Sequence, residues 1–297
     1  MPAFDNLVIE IENSSSLGFT AATSRLLSYV QGISRDDFKE VLLDIGAIPQ
    51  SIKPSSTMEK IYSKVTDIVL SRCFTEVGLT STVLDSRGNS ADVTASSQYH
   101  GYSLVADSKA MRLSRTAKNQ KDFKVGALGD NWIGDANTFA VLCCPLYQYP
   151  SKRSQIYEQA LNNKACFFSW EHFRFMIERN VRETESFSLE PIWSYATRMS
   201  RTITINRDYN FFDRVNDNLC NRIMCDRQIF DNAIMEYYVH IQERAVRERE
   251  KIEEDTAEIR NLSREEAISI LLEPETKKID SLNSLISRLS LEEEQDE

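Results

Sequence analysis

The stretch that decides the fold is residues 84–124, which read LDSRGNSADVTASSQYHGYSLVADSKAMRLSRTAKNQKDFK. Within it an apolar run, 103–106, ends in Asp107-Ser108-Lys109, and Asp92 begins a second strand-like run fifteen residues earlier. Because side chains alternate along a strand, Asp107 and Lys109 point to the same face. If the run that Asp92 begins pairs beside the first, Asp92 reaches that face too. Two carboxylates and a lysine would then meet at the end of one strand.

A cluster of this kind is suited to metal-assisted hydrolysis of a phosphodiester. Carboxylate oxygens hold a hard cation, and a lysine polarises the attacking water or a phosphate oxygen. The segment 109–124 also carries six basic residues against Asp122 alone, as a phosphate-backbone substrate requires. Two aspartates and a lysine are common in proteins, however, and an ordinary strand with a solvated end would show the same pattern.

Several longer runs make the pattern more specific. They are 52–57 (IKPSST), 87–89 (RGN), 104–107 (LVAD), 112–125 (RLSRTAKNQKDFKV), 148–150 (QYP), 168–172 (FSWEH) and 264–268 (REEAI). Through these runs the chain resembles the HindIII type II restriction endonuclease family, in order and over most of its length. The N-terminal fifty residues and the region from about 175 to 255 are more divergent.

The resemblance implies an EcoRI-like enzyme with a PD-(D/E)xK-type core that depends on Mg²⁺. Asp92 and Asp107 would ligate the metal, and Lys109 would orient or activate the water. Asp85 aligns with an acidic residue of the family, but as aspartate in place of glutamate, which shortens the reach of its carboxylate toward the site.

For two further acidic residues the sequence allows two roles each. Glu59, in the first turn of a predicted helix, either approaches the metal site or stabilises the positive helix end. Asp122, inside the basic run, either braces a neighbouring base or approaches the active site.

The predicted DNA-binding surface is the basic run and the turn 52–57. Residues 113–128 are predicted to be a polar loop that turns helical and ends near Gly126 or Gly129. Arg, Lys, Asn and Gln are types that read base edges, whereas Ser, Thr and Lys contact phosphates. The alternative for the basic run is a solvated helix face. The alternative for Ser55 and Ser56 is plain helix capping. The candidates are Ser55, Ser56, Arg112, Ser114, Arg115, Lys118, Asn119, Gln120, Lys121 and Lys124.

The resemblance also implies a target and partners. The target would be double-stranded AAGCTT, cut after the first A, and a palindrome implies a twofold homodimer in which each subunit cuts one strand. A cognate DNA methyltransferase would act on the same sequence. Two rival functions remain: another nuclease of the same superfamily, such as a repair enzyme, and a non-enzymatic helical interaction protein that works through its acidic C-terminal helices.

The order of predicted elements indicates the fold class. Strands near 80–86, 91–97 and 102–109 are followed by a strand, helix, strand, helix rhythm from 138 to 180. This predicts an α/β fold, a restriction-endonuclease-like mixed sheet flanked by helices, with additional helical N- and C-terminal parts. We expect a nuclease core with a helical N-terminal layer in 1–205 and a helical C-terminal region in 206–297, as part of the same compact unit or as a subdomain.

Composition sets further limits. The formal net charge is −10, but residues 243–297 hold 17 acidic and 9 basic residues, so most of the negative charge lies outside the basic run. No run of apolar residues is long enough to span a membrane. The six cysteines lack paired metal spacing, which favours reduced thiols in a cytoplasmic protein over zinc ligands or disulfides.

Overall fold

The structure, a computed structural model, describes residues 2–84, 91–115, 122–123, 125–131, 137–199 and 210–273, together with 276, 279–280 and 283. The chain divides into two compact units, Met1–Glu243 and Arg244–Glu297. The domain division predicted from the sequence, at residues 205 and 206, stays a prediction. Within the described residues, no helix is both long enough and apolar enough to cross a lipid bilayer.

Helices make up most of the described chain. Their bounds are α1 (Ala3–Ser14), α2 (Phe19–Gly32), α3 (Arg35–Asp44), α4 (Thr57–Glu76), α5 (Val125–Asn131), α6 (Ile156–Asn162), α7 (Trp170–Glu178), α8 (Glu190–Trp193), α9 (Tyr195–Met199), α10 (Phe211–Arg222) and α11 (Arg227–Arg260). The strands are β1 (Ala47–Ile48), β2 (Thr80–Val83), β3 (Val93–Ser96), β4 (Ser103–Ser108), β5 (Met111–Arg112), β6 (Thr138–Cys143) and β7 (Ala165–Phe168).

The five-stranded sheet has the order β2-β3-β4-β6-β7 and is mixed, as the sequence predicts. Strands β2, β3 and β4 pair antiparallel, whereas β4, β6 and β7 pair parallel. Every residue of β6 and β7 is buried, which explains why both read as continuous apolar runs without alternation. The parallel pairing brings the carboxyl ends of β4, β6 and β7 to one edge of the sheet.

The N-terminal helices form for local reasons that the sequence shows. The side chain of Ser34 accepts the backbone N–H of Asp37 and so caps α3, as predicted. In α4 the side chain of Ser56 accepts the N–H of Glu59 at 3.1 Å. The predicted apolar face of α4 is confirmed, since it buries Ile61, Val65, Ile68, Val69 and Phe74.

The segment 113–128, predicted to be a polar loop that turns helical and ends near Gly126 or Gly129, differs at its end, because α5 continues past both glycines to Asn131. Met111 and Arg112 form β5, which pairs parallel with β1, and the described helix α5 begins only at Val125. The pairing with β1 is a contact between distant parts of the chain, so helix periodicity within 113–128 could not predict it.

Ser169, His172 and Asn216 form a network that resembles a catalytic triad in composition. The Ser169 hydroxyl donates to His172 Nδ1 at 2.6 Å, and His172 Nε2 donates to Asn216 Oδ1 at 2.8 Å. Ser169 and His172 are fully buried, and burial lowers the pKa of His172 to about 4. No substrate can reach the buried hydroxyl, and the network instead holds the start of α7 against α10.

We expect the buried Glu171 to make stability depend on pH. Its Oε1 accepts the N–H of Leu146 at 3.0 Å, its buried Oε2 accepts no hydrogen bond from the part of the chain that the structure describes, and burial raises its pKa from the ordinary 4.5 to about 7. Between these two values the native state binds more protons than the unfolded state. The free energy of unfolding therefore falls as pH rises through this window, by about 3 kcal/mol.

Urea denaturation of the wild type and Glu171→Gln at pH 5 and pH 8 checks this dependence. Glutamine does not ionise, so its stability relative to the wild type should improve from pH 5 to pH 8. An equal difference between the two proteins at both pH values would contradict the prediction.

Candidate active site

The register of the sheet places Asp92 beside Asp107. Val93 pairs with Ala106 in the antiparallel β3–β4 ladder, so Asp92 lies opposite Asp107 one step beyond that pair. Residues directly opposite each other in such a ladder project to the same face. Both side chains line one cavity of about 260 Å³ at the carboxyl end of β4, and Lys109 lines it too. The three residues that the sequence combined as a cluster therefore meet in space.

Asp107 and Lys109 form an ion pair between Oδ2 and Nζ, on the same face as predicted. Burial raises the pKa of Asp107 to about 6, although the Lys109 ammonium lowers it, and the neighbouring Asp92 carboxylate raises it further. Burial lowers the pKa of Lys109, but attraction to Asp107, Asp67 and Asp92 together outweighs burial and leaves that pKa raised. The lysine therefore stays charged at neutral pH, held against the carboxylate.

A third carboxylate, which the sequence analysis missed, enters the same cavity from helix α4. Asp67 is only 7% exposed, and its Oδ1 accepts the hydroxyl of Ser108 at 2.7 Å. Burial raises the pKa of Asp67 to about 8, with repulsion from Asp92 as the next cause. A buried aspartate in the apolar run VTDIVL was the available signal, since such a residue rarely lies on a purely structural helix face.

The donor set in the cavity fits a hard cation such as Mg²⁺. Asp107 Oδ2 is buried against the Lys109 ammonium and, among the described residues, accepts no further hydrogen bond. In the described part of the chain, no three His, Cys, Asp or Glu side chains form a ready-made metal cage. Magnesium does not require one, because it binds through one or two carboxylates and completes its octahedron with waters and substrate phosphate.

The backbone at Lys109 is held from two sides. Its N–H donates to the carbonyl of Cys143 at 2.7 Å, and its carbonyl accepts the indole N–H of Trp170 at 3.2 Å. Gly46 makes room for this indole, because a Cβ there would lie 2.7 Å from Trp170 Cδ1 and 2.4 Å from Pro145 Cγ. The sequence position of Gly46 predicts a C-cap for the helix before it, but this prediction is wrong, since α3 ends at Asp44 and Ile45 is its C-cap. The glycine is needed for close packing.

The substitution Gly46→Ala should displace Trp170 and loosen the support of Lys109. Overpacking of this kind costs about 1–3 kcal/mol of unfolding free energy, which urea denaturation measures. Gly32→Ala is the matched control, because a Cβ at Gly32 meets nothing within 4 Å. If both variants were as stable as the wild type, Gly46 would not be needed for packing.

Glu59 does not line the cavity and instead organises the turn before α4. Its Oε1 forms an ion pair with Arg112 Nη2 at 2.7 Å, and its Oε2 accepts the N–H of Ser55 at 2.6 Å. Arg112 also donates to the carbonyl of Pro49 at 3.1 Å. This geometry matches the alternative in which Glu59 stabilises the end of the helix. Arg112 and the Ser55 N–H, two of the DNA-binding candidates, already have partners within the chain.

The remaining candidates near the basic run are partly described. Ser114 and Gln50 are joined by a hydrogen bond of 2.9 Å, and Arg115 pairs with Asp122, so this acidic side chain contacts a neighbouring base. Six candidates lie outside the described residues: Asp85, Lys118, Asn119, Gln120, Lys121 and Lys124. Their expected roles stay predictions.

Comparisons with known proteins agree with this fold and indicate a family. A family model described as HindIII restriction endonuclease matches residues 5–290. The chain is also 38% identical over 287 residues to the type II restriction enzyme HindIII of Haemophilus influenzae (strain ATCC 51907 / DSM 11121 / KW20 / Rd). That alignment covers 96% of this chain and 95% of the relative, so the similarity is not limited to one motif.

Proposed function

Because this chain belongs to the HindIII restriction endonuclease family, we propose that it hydrolyses double-stranded DNA at AAGCTT, after the first A, with Mg²⁺ as cofactor. That it is a type II restriction endonuclease follows from the similarity over nearly the whole chain. The observation that supports the proposed chemistry best is the shared cavity of Asp92, Asp107 and Lys109 at the end of β4.

In this proposal Asp92 and Asp107 hold the metal between them. Asp107 lies in β4 and Asp92 directly precedes β3, the neighbouring strand, so the sheet fixes their separation before substrate arrives. Bound Mg²⁺ supplies Lewis-acid stabilisation of the charge that develops on the phosphorane and the leaving 3′ oxygen. Asp67 lies beside both ligands and, through Ser108, is tied to the strand that carries Asp107. We therefore assign Asp67 the role of positioning, through Ser108, the strand that carries Asp107.

Lys109 directs the attacking water. Its ammonium stays charged because it pairs with Asp107, and the cavity buries most of its side chain. A preorganised positive group in a site that excludes water stabilises developing negative charge more strongly than it would in bulk solvent. The lysine therefore orients the water, or a phosphate oxygen beside it, for in-line attack.

A palindromic target read by identical subunits calls for a twofold homodimer, with one active site on each strand. The segment 112–125 is the proposed DNA-contacting run, and the phosphate backbone is its first target. A DNA methyltransferase that recognises the same sequence would protect host DNA in the cytoplasm, and no contact with it is needed.

Digestion of a fully sequenced DNA molecule with purified protein and Mg²⁺ tests the proposal. We expect discrete fragments whose ends map to every AAGCTT, cut after the first A. Discrete fragments with other ends would refute the target but not the enzyme class. General degradation would favour a different nuclease, and intact DNA would favour a non-enzymatic protein.

A further inference from the structure

One face of helix α4 lines the active-site cavity with polar side chains. Lys60, Ser63, Lys64 and Asp67 follow the i, i+3, i+4, i+7 spacing of a single helix face, and all four line the cavity. The opposite face is the buried apolar one. Helix α4 therefore forms a wall of the cavity, and its polar residues are within reach of whatever occupies the site.

Three of these four residues are committed to contacts within the chain. Lys64 Nζ donates to the carbonyl of Leu84 at 2.7 Å and lies 4.0 Å from Asp67 Oδ2. Asp67 accepts the hydroxyl of Ser108. The one hydroxyl proton of Ser63 is donated to the carbonyl of Glu59 at 3.1 Å, so Ser63 is not a free donor.

Lys60 is different. It is exposed, and within the described residues it has neither an ion pair nor a side-chain hydrogen bond. The other two lysines of the cavity have acceptors within the chain: Lys109 pairs with Asp107, and Lys64 donates to the carbonyl of Leu84. Lys60 therefore adds a positive charge to the cavity that no described carboxylate neutralises, which is the arrangement that a phosphate needs.

We propose that Lys60 binds a phosphate of the cleaved DNA strand that neighbours the scissile one. This inference rests on the proposed function, since it assumes that the strand crosses the cavity. Seven residues separate Lys60 from Asp67, about 10 Å along the helix axis. Lys60 thus meets the strand to one side of the carboxylates, where a phosphate contact fixes the register of the backbone without reading its sequence.

The salt dependence of DNA binding by the full-length protein tests this proposal. Binding of an AAGCTT duplex is measured without divalent metal over a range of salt concentrations, for the wild type, Lys60→Ala and Lys60→Arg. Loss of a phosphate contact should lower the slope of log K against log[salt] by about one unit for each subunit bound. Lys60→Arg should restore the slope. Lys60→Ala should lose affinity for a duplex without the site by the same factor as for the AAGCTT duplex.

Lys164→Ala is the matched control. Lys164 directly precedes β7, whose opposite end lies at the edge of the sheet near the cavity, and it is exposed. Its removal should leave the slope unchanged. If Lys60→Ala also kept the wild-type slope while the wild type cleaved DNA, the inference would be wrong and the proposed function would stand. A reduced slope in a protein that cleaves no DNA would reject the proposed function and keep the phosphate contact.

Discussion

Asp107→Asn should reduce cleavage of an AAGCTT duplex about a thousandfold or more, with DNA binding largely retained. The amide keeps the shape of the side chain but removes the negative charge that holds a cation, and the metal contributes several kcal/mol to transition-state stabilisation. Burial already raises the pKa of Asp107 to about 6, so loss of its charge should not unfold the protein. Single-turnover cleavage with saturating Mg²⁺ measures the effect.

Asp36→Asn serves as the control for this substitution, because the Asp36 side chain is 89% exposed on α3 and pairs with Lys39 in the same helix. It should cleave as the wild type does. Binding without Mg²⁺ and a thermal unfolding midpoint near the wild-type value would show that Asp107→Asn is folded. A folded Asp107→Asn protein that cleaved within tenfold of the wild-type rate would remove Asp107 from the catalytic site.

Lys109→Ala should slow cleavage by about a hundredfold to ten-thousandfold, the range typical of a positioned proton-transfer or charge-stabilising group. Two physical effects combine. The ammonium that orients the water is lost, and Asp107 loses the partner that lowers its pKa. Protons should then compete more strongly with the metal for Asp107, and at limiting Mg²⁺ the rising limb of the pH–rate profile should move to higher pH.

Cleavage rates from pH 5 to pH 9, at limiting and at saturating Mg²⁺, separate the two effects. Saturating metal should remove the pH displacement but not the loss of rate. Lys251→Ala is the control, because that side chain is 65% exposed in α11. A Lys109→Ala protein with the wild-type rate would show that the lysine only neutralises Asp107.

Helix α4 shows which features hydrophobic periodicity can predict and which it cannot. The sequence correctly predicted the cap at Ser56 and the buried face of the helix, because both depend on neighbours within one or two turns. It drew attention to Glu59, whereas the carboxylate that enters the cavity is Asp67. Eight residues, about 12 Å along the helix axis, separate the two. Which of them faces the strand end depends on how the helix packs on the sheet.

The sequence by itself determined the mixed sheet, the N-caps at Ser34 and Ser56, and the shared face of Asp107 and Lys109. These depend on strand alternation and on contacts between residues close in the chain. Only the tertiary structure decided that Asp67 and Lys60 share the cavity and that Gly46 makes room for Trp170. Those contacts join elements that are distant in sequence, and their geometry is set by the packing of helices on the sheet, which no local pattern encodes.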